Sequence, residues 1–132
     1  MKNVLIPTKL NTVARDLLEA QGFTVVQNSD TALDELVKLH PDTEALIVRS
    51  EEVTAAVIDA LPKLRLVVRA GSGYNTIDTK YARRRGVDVM NTPGANANAV
   101  AEEVLALMLA NCRHVVPADI STRQGLWEKK SF

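Results

Sequence analysis

Residues Leu64–Asp78 read LRLVVRAGSGYNTID: an apolar, β-branched run ending on Arg69, a Gly-Ser-Gly loop, and an aspartate placed to cap a helix. This is the pattern of a strand, a turn and a helix start. It also imitates a dinucleotide loop, whose fingerprint is G-x-G-x-x-G between a first strand and the helix that follows it. Here Gly71, Gly73 and Thr76 give G-x-G-x-x-T, and the loop follows the fourth apolar run of the chain. We therefore do not read it as a dinucleotide site. Two glycines still allow N–H groups to turn toward an anion, and a following helix N-terminus adds free N–H groups and a positive dipole. A tight strand-to-helix turn needing positive φ accounts for the same residues equally well.

Working outward, similar units repeat. Apolar runs occupy Asn3–Pro7, Phe23–Gln27, Ala45–Val48, Leu64–Arg69 and Val87–Met90. Helical spacing lies between them. In Asn11–Gln21, Val13, Leu17 and Leu18 share a face before Gly22. In Thr31–His40, Leu33, Leu36, Val37 and His40 recur after a cap at Asp30. Thr54–Leu61 opens on a capping threonine and stops at Pro62, and Asp78–Arg85 opens on a capping aspartate and stops at Gly86. Alternating strands and helices predict an α/β fold: a flavodoxin-like, parallel five-stranded sheet of order 2-1-3-4-5 with helices on both faces. This lobe is expected to span residues 1–98.

Residues 99–132 differ. After the turn-rich Asn91–Asn98, the stretch Ala99–Cys112 (AVAEEVLALMLANC) is apolar nearly all round, interrupted only by Glu102 and Glu103. A surface helix of one small domain needs a single apolar stripe, so this helix looks built to be covered on more than one side. Pro117 is expected to break it from a polar helix over Ala118–Gln124, and Leu126, Trp127 and Phe132 lack an obvious core.

The totals exclude several classes. The 132 residues carry 16 basic and 16 acidic side chains, and this balance argues against a general nucleic-acid binder. The single cysteine, Cys112, permits no intrachain disulfide and suits a reducing, cytoplasmic setting. The opening MKNVLIPTKL is too short an apolar run for a signal peptide, and no run is long enough for a membrane span.

Two arginines draw the chemistry. Arg49 and Arg69 each end a central apolar strand, and both would face the crevice holding Gly71–Gly73. Two guanidinium groups beside a nest of N–H groups suit a small carboxylate or phosphate ester. The competing reading pairs them with a nearby acid, Glu51 or Glu52. Arg83–Arg85 read as solvated charges complementing a helix C-terminus. His40 and His114 lack metal-ligand spacing and a partner acid. A phosphate-accepting receiver domain needs acids where Pro7-Thr8 and Arg49 stand and a lysine near Asn91-Thr92. A flavin-binding flavodoxin needs a glycine that the loop PTKLNT lacks.

Taken together, VRAGSGYNTID, RRRGVDVMNTPGANANAVAEEVLALMLANCR and QGLWEKKSF resemble the NAD-dependent D-2-hydroxyacid dehydrogenases, and within them look most like the phosphoglycerate dehydrogenases. The resemblance runs through all 132 residues. It implies that the chain corresponds to the first part of a longer oxidoreductase, oxidising 3-phospho-D-glycerate in serine biosynthesis. Residues 99–112 would then cross toward a Rossmann domain near a dimer interface. By position it places Arg49, Arg69, Gly71, Ser72, Gly73 and Asn96 at the substrate, and Ser72 and Val100 near the nicotinamide. The family's catalytic arginine, glutamate and histidine match nothing here, so the expectation is a catalytically inactive chain that holds no NAD tightly. Its partners would be a small anionic 2-hydroxy or 2-keto acid and, through residues 99–112, a second copy. The alternative is a stand-alone flavodoxin-like module binding an anion or a partner without catalysis.

Overall fold

The computed structural model describes residues 2–132. Five parallel strands form one sheet: β1 (Asn3–Ile6), β2 (Thr24–Gln27), β3 (Ala45–Val48), β4 (Leu66–Arg69) and β5 (Asp88–Asn91), in the order β2-β1-β3-β4-β5. This is the predicted order. Arg69 ends its strand in register between Val48 of β3 and Asn91 of β5.

Strand alternation divides the core in two. Leu5, Leu46, Val48 and Val67 pack with Leu36 and Val37 of α2 (Leu33–Leu39), Val57 and Ile58 of α3 (Ala55–Asp59) and Ala82 of α4 (Thr79–Arg84). Their neighbours Val4, Ile6 and Ala45 point the other way and meet Leu18 of α1 (Val13–Ala20) and Phe23. Helices thus lie on both faces. Each side chain fully withdrawn from water contributes roughly 1.5–3 kcal/mol, which makes the first, larger cluster the main anchor of the fold.

Several local expectations hold through named contacts. Thr54 Oγ1 accepts from the Val57 N–H at 3.4 Å, and Asp78 Oδ1 accepts from the Tyr81 N–H at 2.9 Å, so both caps are real. Gly22 and Gly86 end their helices at φ 82° and 70°, where a side chain would be strained.

Three expectations fail. Val13 and Leu17 are 60% and 65% exposed, and of the α1 stripe only Leu18 packs. The helix rides on β2, the edge strand, so the sheet lies under only part of its apolar stripe. Asp30 does not cap α2, whose N-cap is Ala32 without a side-chain bond. Asn28 organises that turn instead, its Oδ1 accepting from the N–H groups of Asp30 (2.9 Å) and Thr31 (3.2 Å). Pro117 breaks nothing. It lies in the first turn of α6 (Val115–Arg123), where a missing N–H costs no helical bond. The break falls at His114, which is left-handed at φ 53°.

The chain divides into two compact units, one ending at Gly94 and the second covering Ala95–Phe132. In the second, α5 (Ala97–Cys112) has no buried residue, and Val104, Leu105, Met108 and Leu109 are all exposed. After α6, Gly125 turns the chain at φ 78°, and Ser121 Oγ donates to Glu128 Oε2 at 2.6 Å. Trp127 is 84% exposed. Among the described residues no helix is long and apolar enough to cross a membrane.

Candidate anion-binding site

An open α/β sheet offers ligands a crevice beyond the carboxyl ends of its strands, where successive connections part. In this order that point lies between β1 and β3. Here an acidic side chain lies close to that point. The Glu51 carboxylate accepts from the N–H groups of Arg49 (2.8 Å) and Ser50 (3.1 Å) after β3, and the Thr8 hydroxyl after β1 lies beside it. Thr8 is buried. Partial burial pushes the Glu51 carboxyl up, but the backbone N–H groups of Arg49 and Ser50 and the neighbouring Thr8 hydroxyl outweigh it and hold the group below its ordinary value.

The ligand-facing features gather one strand further along. The Arg69 guanidinium lies across the Cα of Gly71: a Cβ there would overlap Nη1 and stand 2.6 Å from Cζ. A side chain at position 71 would therefore push the guanidinium off the loop. Arg69 Nε is shielded from water and has no hydrogen-bond partner among the described residues. A buried guanidinium N–H without an acceptor costs free energy, and an anionic ligand would supply one.

The loop is fastened from β5. The Asn91 side-chain amide donates to the Ser72 carbonyl at 2.6 Å, the Thr92 N–H donates to the Gly71 carbonyl at 3.0 Å, and Ser72 Oγ donates to the Thr92 carbonyl at 3.2 Å. The sequence reading missed Asn91 and Thr92 as loop supports. The available signal was a polar Asn-Thr pair ending the strand beside the glycine loop.

One expectation about the loop needs correction. The Gly71 N–H does not face outward: it donates to the Arg69 carbonyl at 2.8 Å. Gly73 is the loop glycine whose N–H has no such partner among the described residues. The helix after the loop starts where the capping aspartate placed it. The helix α4 begins only at Thr79, and the Asp78 carboxylate sits on its N-terminus. A dinucleotide pyrophosphate needs glycine N–H groups and a helix N-terminus together, so this loop does not fit that group.

Of the sequence-predicted residues, Arg69, Gly71, Ser72 and Gly73 come together, with Arg49 one strand over. The expected competitors do not neutralise Arg49. Glu51 takes the backbone, and no ion pair to either arginine occurs among the described residues. Asn96 is the N-cap residue of α5, its carbonyl accepting from the Val100 N–H at 3.0 Å, so both belong to the second unit. Arg85 pairs with Asp59, and Arg84 stands over the Tyr81 ring. His40 ends α2, where its carbonyl accepts from Thr43. No cluster of metal-ligating side chains occurs among the described residues.

Residues 4–125 match the family described as D-isomer specific 2-hydroxyacid dehydrogenase, catalytic domain. The chain belongs to this family. It is 42% identical over 124 residues to a hydroxypyruvate reductase of Thermotoga maritima, covering 93% of this chain and 40% of that protein. To the D-3-phosphoglycerate dehydrogenase of Homo sapiens it is 38% identical over all of this chain and 25% of that protein. Among solved structures, the NAD+-bound 3-phosphoglycerate dehydrogenase of Entamoeba histolytica superposes with a TM-score of 0.73 at 30% identity, over 83% of this chain and 38% of that one. The NADPH-dependent glyoxylate/hydroxypyruvate reductase of Sinorhizobium meliloti, in complex with NADP and malonate, gives 0.80 at 27%, over 97% and 40%. The chain thus spans between a quarter and two-fifths of these relatives' lengths.

Proposed function

We propose that this chain supplies the substrate-binding part of an NAD-dependent oxidoreductase acting on a small 2-hydroxy or 2-keto acid, with 3-phosphoglycerate as the first substrate to test and serine biosynthesis as the setting. The observation that carries this is Arg69: a guanidinium laid on a glycine loop, its Nε shielded and without an acceptor among the described residues. A carboxylate or phosphate oxygen would satisfy it. Arg49, Gly71, Ser72, Gly73 and Asn96 are the further substrate contacts in this reading, and Ser72 and Val100 the residues near the nicotinamide. Arginine suits this task because its planar fork can grip two oxygens of one anion.

The chain alone is inactive in this reading. Hydride transfer needs a held nicotinamide and a group that moves the hydroxyl proton. The glycine loop does not fit the pyrophosphate, and among the described residues neither His40 nor His114 is placed on a carboxylate. A second copy docking through residues 99–112 is part of the proposal, supported by the exposure of α5. A reducing, cytoplasmic setting is supported by the lone Cys112.

The test is an amide-resolved NMR titration with 3-phosphoglycerate, hydroxypyruvate and NAD. Shifts at Arg69–Asn75 with an acid, lost in Arg69→Lys, support the reading. A binding site untouched by Arg69→Lys would remove its basis. The stand-alone anion-binding module would bind its anion with the same affinity when joined to a dinucleotide-binding partner domain, whereas the dehydrogenase reading expects turnover there.

A further inference from the structure

The Arg49 side chain is exposed, and its guanidinium has no ion pair or hydrogen bond among the described residues, although Glu51 lies two residues on. That carboxylate is engaged elsewhere. One of its oxygens, Oε2, accepts from the N–H groups of both Arg49 and Ser50. We infer that Glu51 is a positioning residue for Arg49: it fixes the backbone from which the arginine springs and is itself kept off the guanidinium it would otherwise neutralise. This rests on the reading of Arg49 as an anion contact and deepens it.

The reasoning is electrostatic and geometric. Strand β3 ends at Val48, so Arg49 stands where ladder hydrogen bonds no longer hold the chain. Two charge-assisted bonds to one oxygen replace the ladder there. The buried Thr8 of the β1 loop lies beside the same carboxylate. Without this arrangement, a flexible acid beside a flexible arginine would pair with it part of the time. The anion would then have to displace that acid before binding. Holding the acid on the backbone removes the competition and orders the arginine before the ligand arrives, which lowers the entropy lost on binding.

The test is a double-mutant cycle on 3-phosphoglycerate affinity in the 132-residue chain, read from amide shifts, with Glu51→Ala, Glu51→Gln and Arg49→Ala. Glutamine keeps an oxygen for the two N–H groups, so Glu51→Gln is expected to bind within a few-fold of the unmutated chain. Glu51→Ala is expected to weaken binding by about tenfold, and to have no effect when Arg49 is already alanine. Urea midpoints establish that each variant is folded. Unchanged affinity in Glu51→Ala overturns the inference. So does an equal loss with and without Arg49, which would mean that Glu51 acts on the loops generally. A tighter Glu51→Gln complex would make Glu51 a repulsive charge and overturn it as well. If Arg49→Ala binds as tightly as the unmutated chain, or the unmutated chain binds no acid, the underlying site reading falls and takes the inference with it.

Discussion

The guanidinium of Arg69 rests on the Cα of Gly71, so close that any side chain at position 71 would occupy the same space. The two residues are joined a second time, by the Gly71 N–H donating to the Arg69 carbonyl at 2.8 Å. A strand end and a glycine turn are thereby made into one unit, with the charge lying on the turn.

Replacing Gly71 with alanine separates the two effects. The obstacle to a Cβ is the tip of a flexible side chain, which can swing into solvent, but φ at Gly71 is 158°, which side chains rarely adopt, so the fold should lose about 1–3 kcal/mol. The anion site should be damaged as well, because the displaced guanidinium no longer faces the loop. Affinity for 3-phosphoglycerate is expected to fall by about tenfold to a hundredfold, the worth of a charge-assisted hydrogen bond. Urea unfolding together with the amide titration measures both quantities. Unaltered affinity would contradict the geometry.

Asp78→Ala should show the opposite pattern. The cap bond to the Tyr81 N–H disappears, and such losses cost about 1 kcal/mol. The loop is fastened from Asn91 and Thr92 rather than from α4. Ligand affinity should therefore remain unchanged while the urea midpoint drops. A parallel loss of affinity would mean that α4 supports the loop after all.

Acid should destabilise the chain partly through two glutamates. Glu44 is held below its ordinary 4.5, first by accepting from the Lys2 N–H, and Glu51 is held below the same value by the bonds described above. A carboxyl with a depressed folded pKa contributes stability above its unfolded pKa, and loses it as the pH falls through the folded value. Stability should thus be flat near neutrality and decline below about pH 4.5. Glu51→Gln should decline less steeply there. Urea midpoints measured between neutral and acid pH check this, and an identical acid decline in the variant would dissociate Glu51 from it.

The exposed α5 should make the chain associate. Leu105 and Met108 lie one turn apart on this helix and are both exposed. Exposed apolar surface of this kind favours a partner. Sedimentation should give a mass above 14.4 kDa that rises with concentration. It should return to the monomer in the Leu105→Lys, Met108→Lys variant. A chain that stays monomeric at every concentration would remove residues 99–112 as a docking surface.

Much of the sheet was legible because each strand carries its own local signal. Ala45–Val48 is β-branched, short and bounded by polar turns, and its predicted and observed limits coincide. The caps at Thr54 and Asp78 were legible for the same reason, since a cap is a bond between residues three apart. The failures are those of residues whose fate depends on distant chain. Val13 and Leu17 have the spacing of a buried stripe, but their helix lies over the sheet's edge. Asp30 does not cap because the N-cap of α2 falls two residues later, at Ala32, and Asn28 takes the N–H groups of Asp30 and Thr31 in the turn before it. Glu51 read as a competitor for Arg49, but the folded backbone gave it other donors.

By itself the sequence determined the alternation of strands and helices, the glycine loop, the two arginines at strand ends and the family, because these rest on local pattern and on residue types at fixed spacing. The tertiary structure alone decided that Asn91 and Thr92 fasten a loop some twenty residues earlier in the chain. It alone decided that Gly71 spends its N–H inward, and that Glu51 holds backbone rather than guanidinium. Parallel pairing sets β5 beside β4 across an intervening helix, and hydrogen bonds between their ends follow from that register rather than from any spacing in the chain.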